Sequence, residues 1–352
     1  MKKGLSLLLT IALLAGGTVG CSGKADTPAT EPEKQTEAQT EKQAETEAPK
    51  QEETAGEEKL KVGILLKTLA SEYWVAMADG IKEEAENLGV EVEIMAAASE
   101  SDTGSQLQML EDMVSKDYDG IGVAPITDTN LIPGVASACK KGIPVVDLDQ
   151  EFNAEELKNA GGWVIGYCTT DYVVTGQQAG EFLAGKMGNQ GKAIIIEGMA
   201  GNLSSESRKK GCTEVLEKAG IEIVASQPCD WDRQKAMDAT TNLMSVHPDV
   251  TGIYCCNDTM ALGAQQAVNA LNLQGKVFVV GTDGNGEAIE SIANGEMAGT
   301  AAQRPGEIGA ICLRMLVDVI KSGEIGDVNM EPETELLDSF IISPENVSEH
   351  RN

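Results

Sequence analysis

From Leu60 onward, short β-rich runs alternate with segments of helical period, and this alternation limits the possible fold more than any other feature of the chain. The runs KVGILL, VEVEIM, GIGVA, IPVVDL, WVIGY, KAIIIE, IEIVAS, GIYCC, KVFVV and AGTAA read as strands. Several are apolar at every position, as expected of strands covered on both sheet faces. Between them the apolar period becomes helical. Met77, Ile81, Ala85 and Leu88 share one face; Ala236, Ala239, Leu243 and Val246 share another; Ile308, Cys312, Met315 and Val319 share a third. Gly89, Gly142 and Gly220 follow helical runs and precede strands, where C-terminal caps belong. A β-α-β-α series predicts an α/β fold with parallel sheets and helices on both faces. About ten strands exceed one sheet of ordinary size, so two lobes are expected.

In such sheets ligands bind beyond the carboxyl ends of the strands. Lys67 follows VGILL, Asp149 ends PVVDLD, Asn257 and Asp258 follow GIYCC, Asp283 follows VFVVGT, and Gln303 follows GTAA. These five strand ends present donors and acceptors suited to hydroxyl groups. An aspartate in such a place is often only a helix cap, and Asp258 is read that way. Trp163 opens an expected strand and reads as core.

The N-terminus points to export. Lys2 and Lys3 precede the apolar run LSLLLTIALLAGG and then small residues up to Cys21, the pattern of a signal peptide over 1–20. The stretch TVG before Cys21 resembles a bacterial lipobox, which implies lipidation of Cys21. Residues 21–59 are rich in Glu, Lys, Thr, Gln, Ala and Pro and poor in large apolar side chains, so a disordered acidic tether is expected. As a coil it would span roughly 35 Å. Removing the two signal lysines and the six net negative charges of the tether from the total of −29 leaves −25 on the folded part. So acidic a surface argues against nucleic acid or anionic lipid as partner. The two histidines, His247 and His350, leave little for imidazole chemistry or a metal centre. Beyond Cys21, seven cysteines without a C-x-x-C pair read as small buried apolar residues.

The stretches LLKTLASEYWVAM, GSQLQMLEDM, GIGVAPI, KKGIPVVDLDQ, IIEGMAGN, VASQPCDWDR, YCCNDTMALGA, VVGTDG and AAQRPGEIGA cover the folded part nearly end to end. Taken in order, they resemble the ribose/allose group of periplasmic sugar-binding proteins, the allose-type members most of all. The resemblance implies a type I periplasmic binding protein: two Rossmann-like lobes with parallel sheets, joined by a three-crossing hinge. One lobe would take 60–168 and 304–332, the other 169–303 and 333–345. It also implies a monomer that catalyses nothing and needs no cofactor. Such a protein clamps a monosaccharide, an allose-like aldohexose above all, and delivers it to an ABC permease with its ATPase. It would sit at the outer face of the cytoplasmic membrane or in the periplasm, touching the membrane through the lipid anchor only.

The site residues implied by the matching motifs are Lys67, Tyr73, Trp74, Asp149 and Gln150 from the first lobe. Asn202, Arg208, Trp231, Asn257, Asp283 and Gln303 are implied from the second. Glu206 lies near Arg208 and is a further candidate. Charged and amide groups can serve several hydroxyls, and Lys67 and Arg208 would offset Asp149 and Asp283. Aromatic faces would cover the C–H faces of a pyranose. Gln150 stands where ribose-binding relatives carry Arg, which argues against ribose, and where the allose-type protein carries Glu, so it departs from that pattern too.

Two other functions share this scaffold. A regulator of the lactose-repressor type needs an N-terminal DNA-binding helix pair and a basic face, and this chain has neither. An enzyme would need a nucleophile elbow, a P-loop or a metal cluster, and none is legible. A receptor that presents a sugar or furanosyl signal to a chemoreceptor or sensor kinase would use the same site.

Overall fold

The structure, a computed structural model, describes residues 59–351. The expected signal peptide, Cys21 and the tether up to residue 58 lie outside the described residues. Two six-stranded sheets carry the chain. The first is built in the series β1 (Lys61–Leu66), α1 (Glu72–Leu88), β2 (Glu91–Ala96), α2 (Thr103–Val114), β3 (Gly120–Val123), α3 (Ile132–Lys140), β4 (Val145–Leu148), α4 (Ala154–Asn159) and β5 (Gly166–Thr170). The second follows as α5 (Tyr172–Lys186), β6 (Lys192–Glu197), α6 (Leu203–Lys218), β7 (Glu222–Pro228), α7 (Arg233–Val246), β8 (Val250–Cys255), α8 (Asp258–Ala270), β9 (Phe278–Asp283), α9 (Gly286–Ala293) and β10 (Gly299–Ala302). The chain then returns through α10 (Pro305–Ser322) and β11 (Glu333–Leu337) to the first sheet and ends with β12 (Phe340–Ile342) in the second.

The strand orders are β11-β5-β4-β3-β1-β2 and β12-β10-β9-β8-β6-β7. Each sheet reverses direction of growth beside its first strand, which opens a crevice at the carboxyl ends. Pairing is parallel except between β10 and β12. Apolar strand residues divide between two faces as the pleat requires. In β1, Val62, Ile64 and Leu66 join a core with Met77 and Ile81 of α1 and Leu316 of α10. Leu65 points the other way, into a core with Leu110 and Met113 of α2 and Val135 of α3. The second sheet is enclosed by one large core that includes Ile194, Ile195 and Ile196 of β6.

Gly89, Gly142 and Gly220 take positive φ at or just beyond the ends of α1, α3 and α6, where the sequence places caps. Gly176 has a different task. A Cβ there would lie 2.1 Å from the main-chain oxygen of Arg208, so its bare backbone is what lets α5 and α6 touch.

Several expectations change. The strand expected over 163–167 starts at Gly166 instead, because Trp163 and Val164 are held in the preceding loop. The Trp163 indole N–H donates to the Ile325 carbonyl at 2.9 Å, and the half-buried ring packs against the core of the first lobe as expected. Val246 is 68% exposed, and α7 buries Ala236, Thr240 and Met244. Packing on α8, where Gly263 meets the Arg233 main chain, sets that face. The segment 333–345 does not all join the second lobe. Residues 333–337 pair with β5 of the first sheet, so the last crossing falls at Asp338–Ser339. The first crossing falls at Asp171, after β5, rather than after residue 168. Among the described residues, all seven cysteines are free and buried.

Gly176→Ala should force α5 and α6 apart and lower stability by about 1–3 kcal/mol, the usual effect of overpacking. The urea midpoint of the variant checks this; an unchanged midpoint would show that the helices can separate without loss.

Candidate functional site

The carboxyl ends of both sheets face one another across a cavity partly open to solvent, whose empty space, open solvent included, is about 330 Å³. From the first lobe come Lys67 just after β1, Ser71, Tyr73 and Trp74 at the start of α1, Glu100 beyond β2, and Asp149 just after β4. From the second come Ser204 and Arg208 of α6, Trp231 in the turn after β7, Asn257 at the start of α8, and Asp283 at the end of β9. Eight of the eleven expected residues therefore line one cavity: Lys67, Tyr73, Trp74, Asp149, Arg208, Trp231, Asn257 and Asp283.

The backbone at the two aspartates is unusual. Asp149 has φ 69° and Asp283 φ 127°, and Trp231 has φ 61°. Such conformations are uncommon outside glycine and concentrate at functional sites. Here they turn carboxylates out of the strand direction and into the cleft. Trp231 also depends on Gly198, since a Cβ at that residue would lie 2.2 Å from its ring.

Each aspartate is paired. Asp149 Oδ2 lies 3.7 Å from Lys67 Nζ, and Oδ1 accepts the Tyr73 hydroxyl at 2.6 Å. Tyr73 and Trp74 pack edge to face with centroids 5.1 Å apart, and Lys67 Nζ lies 5.2 Å from the Trp74 ring. Across the cleft, Asp283 Oδ1 lies 3.6 Å from Arg208 and accepts from Gln303 Nε2 at 2.7 Å. Arg208 donates to the Cys256 carbonyl at 2.9 Å and stacks near Tyr172. Arg208 Nε and Trp231 Nε1 are buried without a partner among the described residues. Buried donors of this kind call for an acceptor.

Burial dominates the titration of the site. It pushes the Asp283 carboxyl up to about 7 against the pull of Arg208 and Gln303, with Asp149 and Glu100 adding to the rise. Burial also works against the Arg208 charge, yet Asp283 and the surrounding tyrosines hold its pKa above the ordinary value. The Tyr73 phenol is held well above its usual range by burial and then by the Asp149 charge.

Gln150, Asn202 and Gln303 are placed elsewhere. Gln303 backs Asp283 from behind. Gln150 Oε1 accepts from Lys67 Nζ and from Asn202 Nδ2, both at 3.1 Å. Asn202 also donates to the Ile126 carbonyl at 3.4 Å, while its Oδ1 caps α6 by accepting from Ser205 N at 3.2 Å. Gln150 and Asn202 thus join the two lobes. The Tyr172 hydroxyl makes a third link, donating to the main-chain oxygen of Asp149. Asn257, not Asp258, caps α8, accepting from Met260 N at 2.9 Å. Asp258 instead accepts from Gly284 N and Asn285 N at 2.8 Å and from the Thr300 hydroxyl at 2.7 Å, fixing the Asp283 turn. Glu206 pairs with Lys209 at the surface and does not reach the cavity.

Glu100, Ser71, Ser204 and Tyr172 were not singled out from sequence. Glu100 accepts the Trp74 indole N–H at 2.9 Å and stands beyond the end of β2, where the strand-end rule finds it. Ser71, Ser204 and Tyr172 carry no comparable signal. No grouping of His, Cys, Asp and Glu suited to a metal ion occurs among the described residues.

Comparison with known proteins decides the family. Residues 62–325 match the sequence profile of the periplasmic binding protein domain. The chain belongs to that family. It is a periplasmic sugar-binding protein of the ribose/allose group, and the family binds solutes without transforming them. The D-allose-binding periplasmic protein of Escherichia coli K12 is 47% identical to this binding protein over 282 residues, covering 80% of this chain and 91% of that one. The ribose import binding protein of Haemophilus influenzae is 33% identical over 263 residues, covering 75% and 86%. A periplasmic solute-binding protein of an ABC transporter from Actinobacillus succinogenes, solved with bound D-allose, superposes with a TM-score of 0.77 at 32% identity. That match covers 83% of this chain and all of the other.

An unfolded aspartate titrates near 3.9, about three units below the folded Asp283. The folded protein therefore binds this proton more tightly, and the resulting stabilisation is complete below about pH 4 and lost as pH rises to about 7. Asp283→Asn removes the titration. In ligand-free protein, the melting temperature of the variant minus that of the wild type should rise between about pH 4 and about pH 7. A difference that stays constant with pH would mean that Asp283 titrates alike in both states.

Proposed function

We propose that this protein is the substrate-binding lipoprotein of a sugar ABC importer, clamping an allose-like aldohexose between its lobes. The observation that carries the reading is the pair of buried, charge-balanced aspartates, Asp149 with Lys67 and Asp283 with Arg208, on opposite walls of one aromatic-lined cavity. Sugar hydroxyls donate to carboxylates and accept from cations, and charge-assisted bonds are the stronger kind. Trp231 lines the cavity from the second lobe, Tyr73 and Trp74 from the first, and together they supply apolar surface for the C–H faces of a pyranose. Asn257 and Ser204 add polar atoms from the second lobe.

In this account Gln150 and Asn202 hold the closed form rather than the sugar. Contacts to a ligand from both walls exist only when the lobes are together, so their free energy favours closure. The closed form is then what a permease and its ATPase would recognise. Allose is favoured by the 47% identity to the D-allose-binding protein and by the D-allose complex of the solved relative. Gln150 argues against ribose for the reason given above, and its side chain is already engaged by Lys67 and Asn202. Export and lipidation at Cys21, with residues 22–59 as tether, complete the proposal.

A calorimetric panel of D-allose, ribose, xylose, galactose and glucose tests it. D-allose should bind most tightly, and a lack of binding by every sugar would overturn the reading. Asp283→Ala leaves Arg208 buried without its counter-ion and should weaken the preferred sugar about 30-fold or more, as expected when one partner of a buried charge pair is truncated. Retained affinity in a folded variant would remove Asp283 from the site. Radiolabelled palmitate incorporated in wild type but not in Cys21→Ala checks the anchor; equal labelling would refute it.

A further inference from the structure

A second cavity opens in the first lobe, between the loop after β4, α4, the loop before β5 and the segment leading into β11. It holds about 290 Å³ of space, partly open to solvent, at the lower edge of the range of small-molecule sites. It shares no lining residue with the sugar cleft. Phe152, Trp163 and Tyr167 contribute aromatic surface to its wall. Asp147, Glu151 and Glu331 contribute carboxyls, against one basic residue, Lys158.

Asp147 is the group that needs explaining. It is 1% exposed on a strand otherwise apolar at its core positions. Its Oδ2 accepts the Phe152 main-chain N–H at 3.2 Å, while Oδ1 has no partner among the described residues. Burial holds this carboxyl well above the ordinary carboxylate range, and among the described residues no cation pairs with it. A buried acceptor left without a donor is costly and rare in folded proteins. The sugar site has no use for it: Asp149, two residues on, is the carboxylate that enters the cleft.

We propose that this cavity is a second ligand site, specific for a small organic ammonium ion with an apolar body. Aromatic faces attract cations through their quadrupoles, and a desolvated setting strengthens the attraction. Glu151 supplies counter-charge at the rim, an ammonium ion beside Asp147 draws that buried carboxyl to its ionised form with release of one proton, and the apolar body rests against Phe152 and Leu157. An anion meets the carboxylates of Glu151 and Glu331 and is refused. Tyr167 is the one wall shared in effect with the sugar site, since its hydroxyl donates to the Asp149 carbonyl at 3.2 Å.

Calorimetric titration of the full chain with phenethylammonium chloride tests the proposal, with 3-phenylpropanoate and 2-phenylethanol as anionic and neutral counterparts. The ammonium ion should bind saturably at millimolar concentration or below, and the counterparts at least about tenfold more weakly. Asp147→Asn preserves volume and an acceptor for Phe152 N–H, and Glu151→Gln lies at the exposed rim, so a fold defect in one leaves the other informative. Each should weaken ammonium binding about tenfold, whereas Asp283→Ala in the sugar cleft should change it less than about twofold. Equal binding of all three probes, unchanged binding in both Asp147→Asn and Glu151→Gln, loss in Asp283→Ala, or no saturable binding at millimolar concentration would each overturn it.

Discussion

Charge placed where water is excluded must be balanced, and the cleft between the lobes is organised by that requirement. A lone buried carboxylate is expensive, and removing one member of a buried pair is worse than never having had it. Each wall therefore carries its own acid and its own base: Asp149 with Lys67, Asp283 with Arg208. Balance within each lobe leaves the walls free to part. If Lys67 had been the counter-ion of Asp283, opening the cleft would have meant pulling a pair apart. Contacts that do cross the seam, Asn202 to Gln150 and Tyr172 to the Asp149 carbonyl, are hydrogen bonds of neutral donors, which water can replace.

The fold serves that arrangement at specific points. Parallel strands end together, so one rim of each sheet collects the polar residues, and the chain order puts both rims on the same crevice. Positive φ at Asp149 and Asp283 aims the carboxylates inward at a conformational cost that the surrounding packing must sustain. Asp258 braces the second of these turns by taking two main-chain N–H groups and the Thr300 hydroxyl. Gly176 lets α6 approach closely enough for Arg208 to reach the cleft. Asp258 and Gly176 lie on the structural side of the site, and neither lines the cavity.

What the sequence disclosed follows the same physics. Continuously apolar runs such as KVGILL and KAIIIE mark doubly covered strands, and polar residues at their carboxyl ends located Lys67, Asp149, Asn257 and Asp283 without reference to any relative. Arg208 and Trp231 came only through family resemblance, because nothing local distinguishes an arginine inside an amphipathic helix or a tryptophan in a turn. Glu100 lies four residues beyond β2, farther from its strand end than Lys67, Asp149, Asn257 or Asp283 are from theirs. Asn202 and Gln150 also came only through the resemblance, and their role depends on how the lobes meet, which is a tertiary fact. The exposure of Val246 and the splitting of 333–345 between sheets were set by neighbouring elements that a local pattern does not encode.

A crystal structure of the protein grown with D-allose tests the central claim most directly. One sugar ring is predicted in the interlobe cavity, its hydroxyls within hydrogen-bond distance of both Asp149 and Asp283 and its ring face against Trp231. Sugar bound to one lobe only, or a filled cavity in which either aspartate makes no contact with it, would contradict the account.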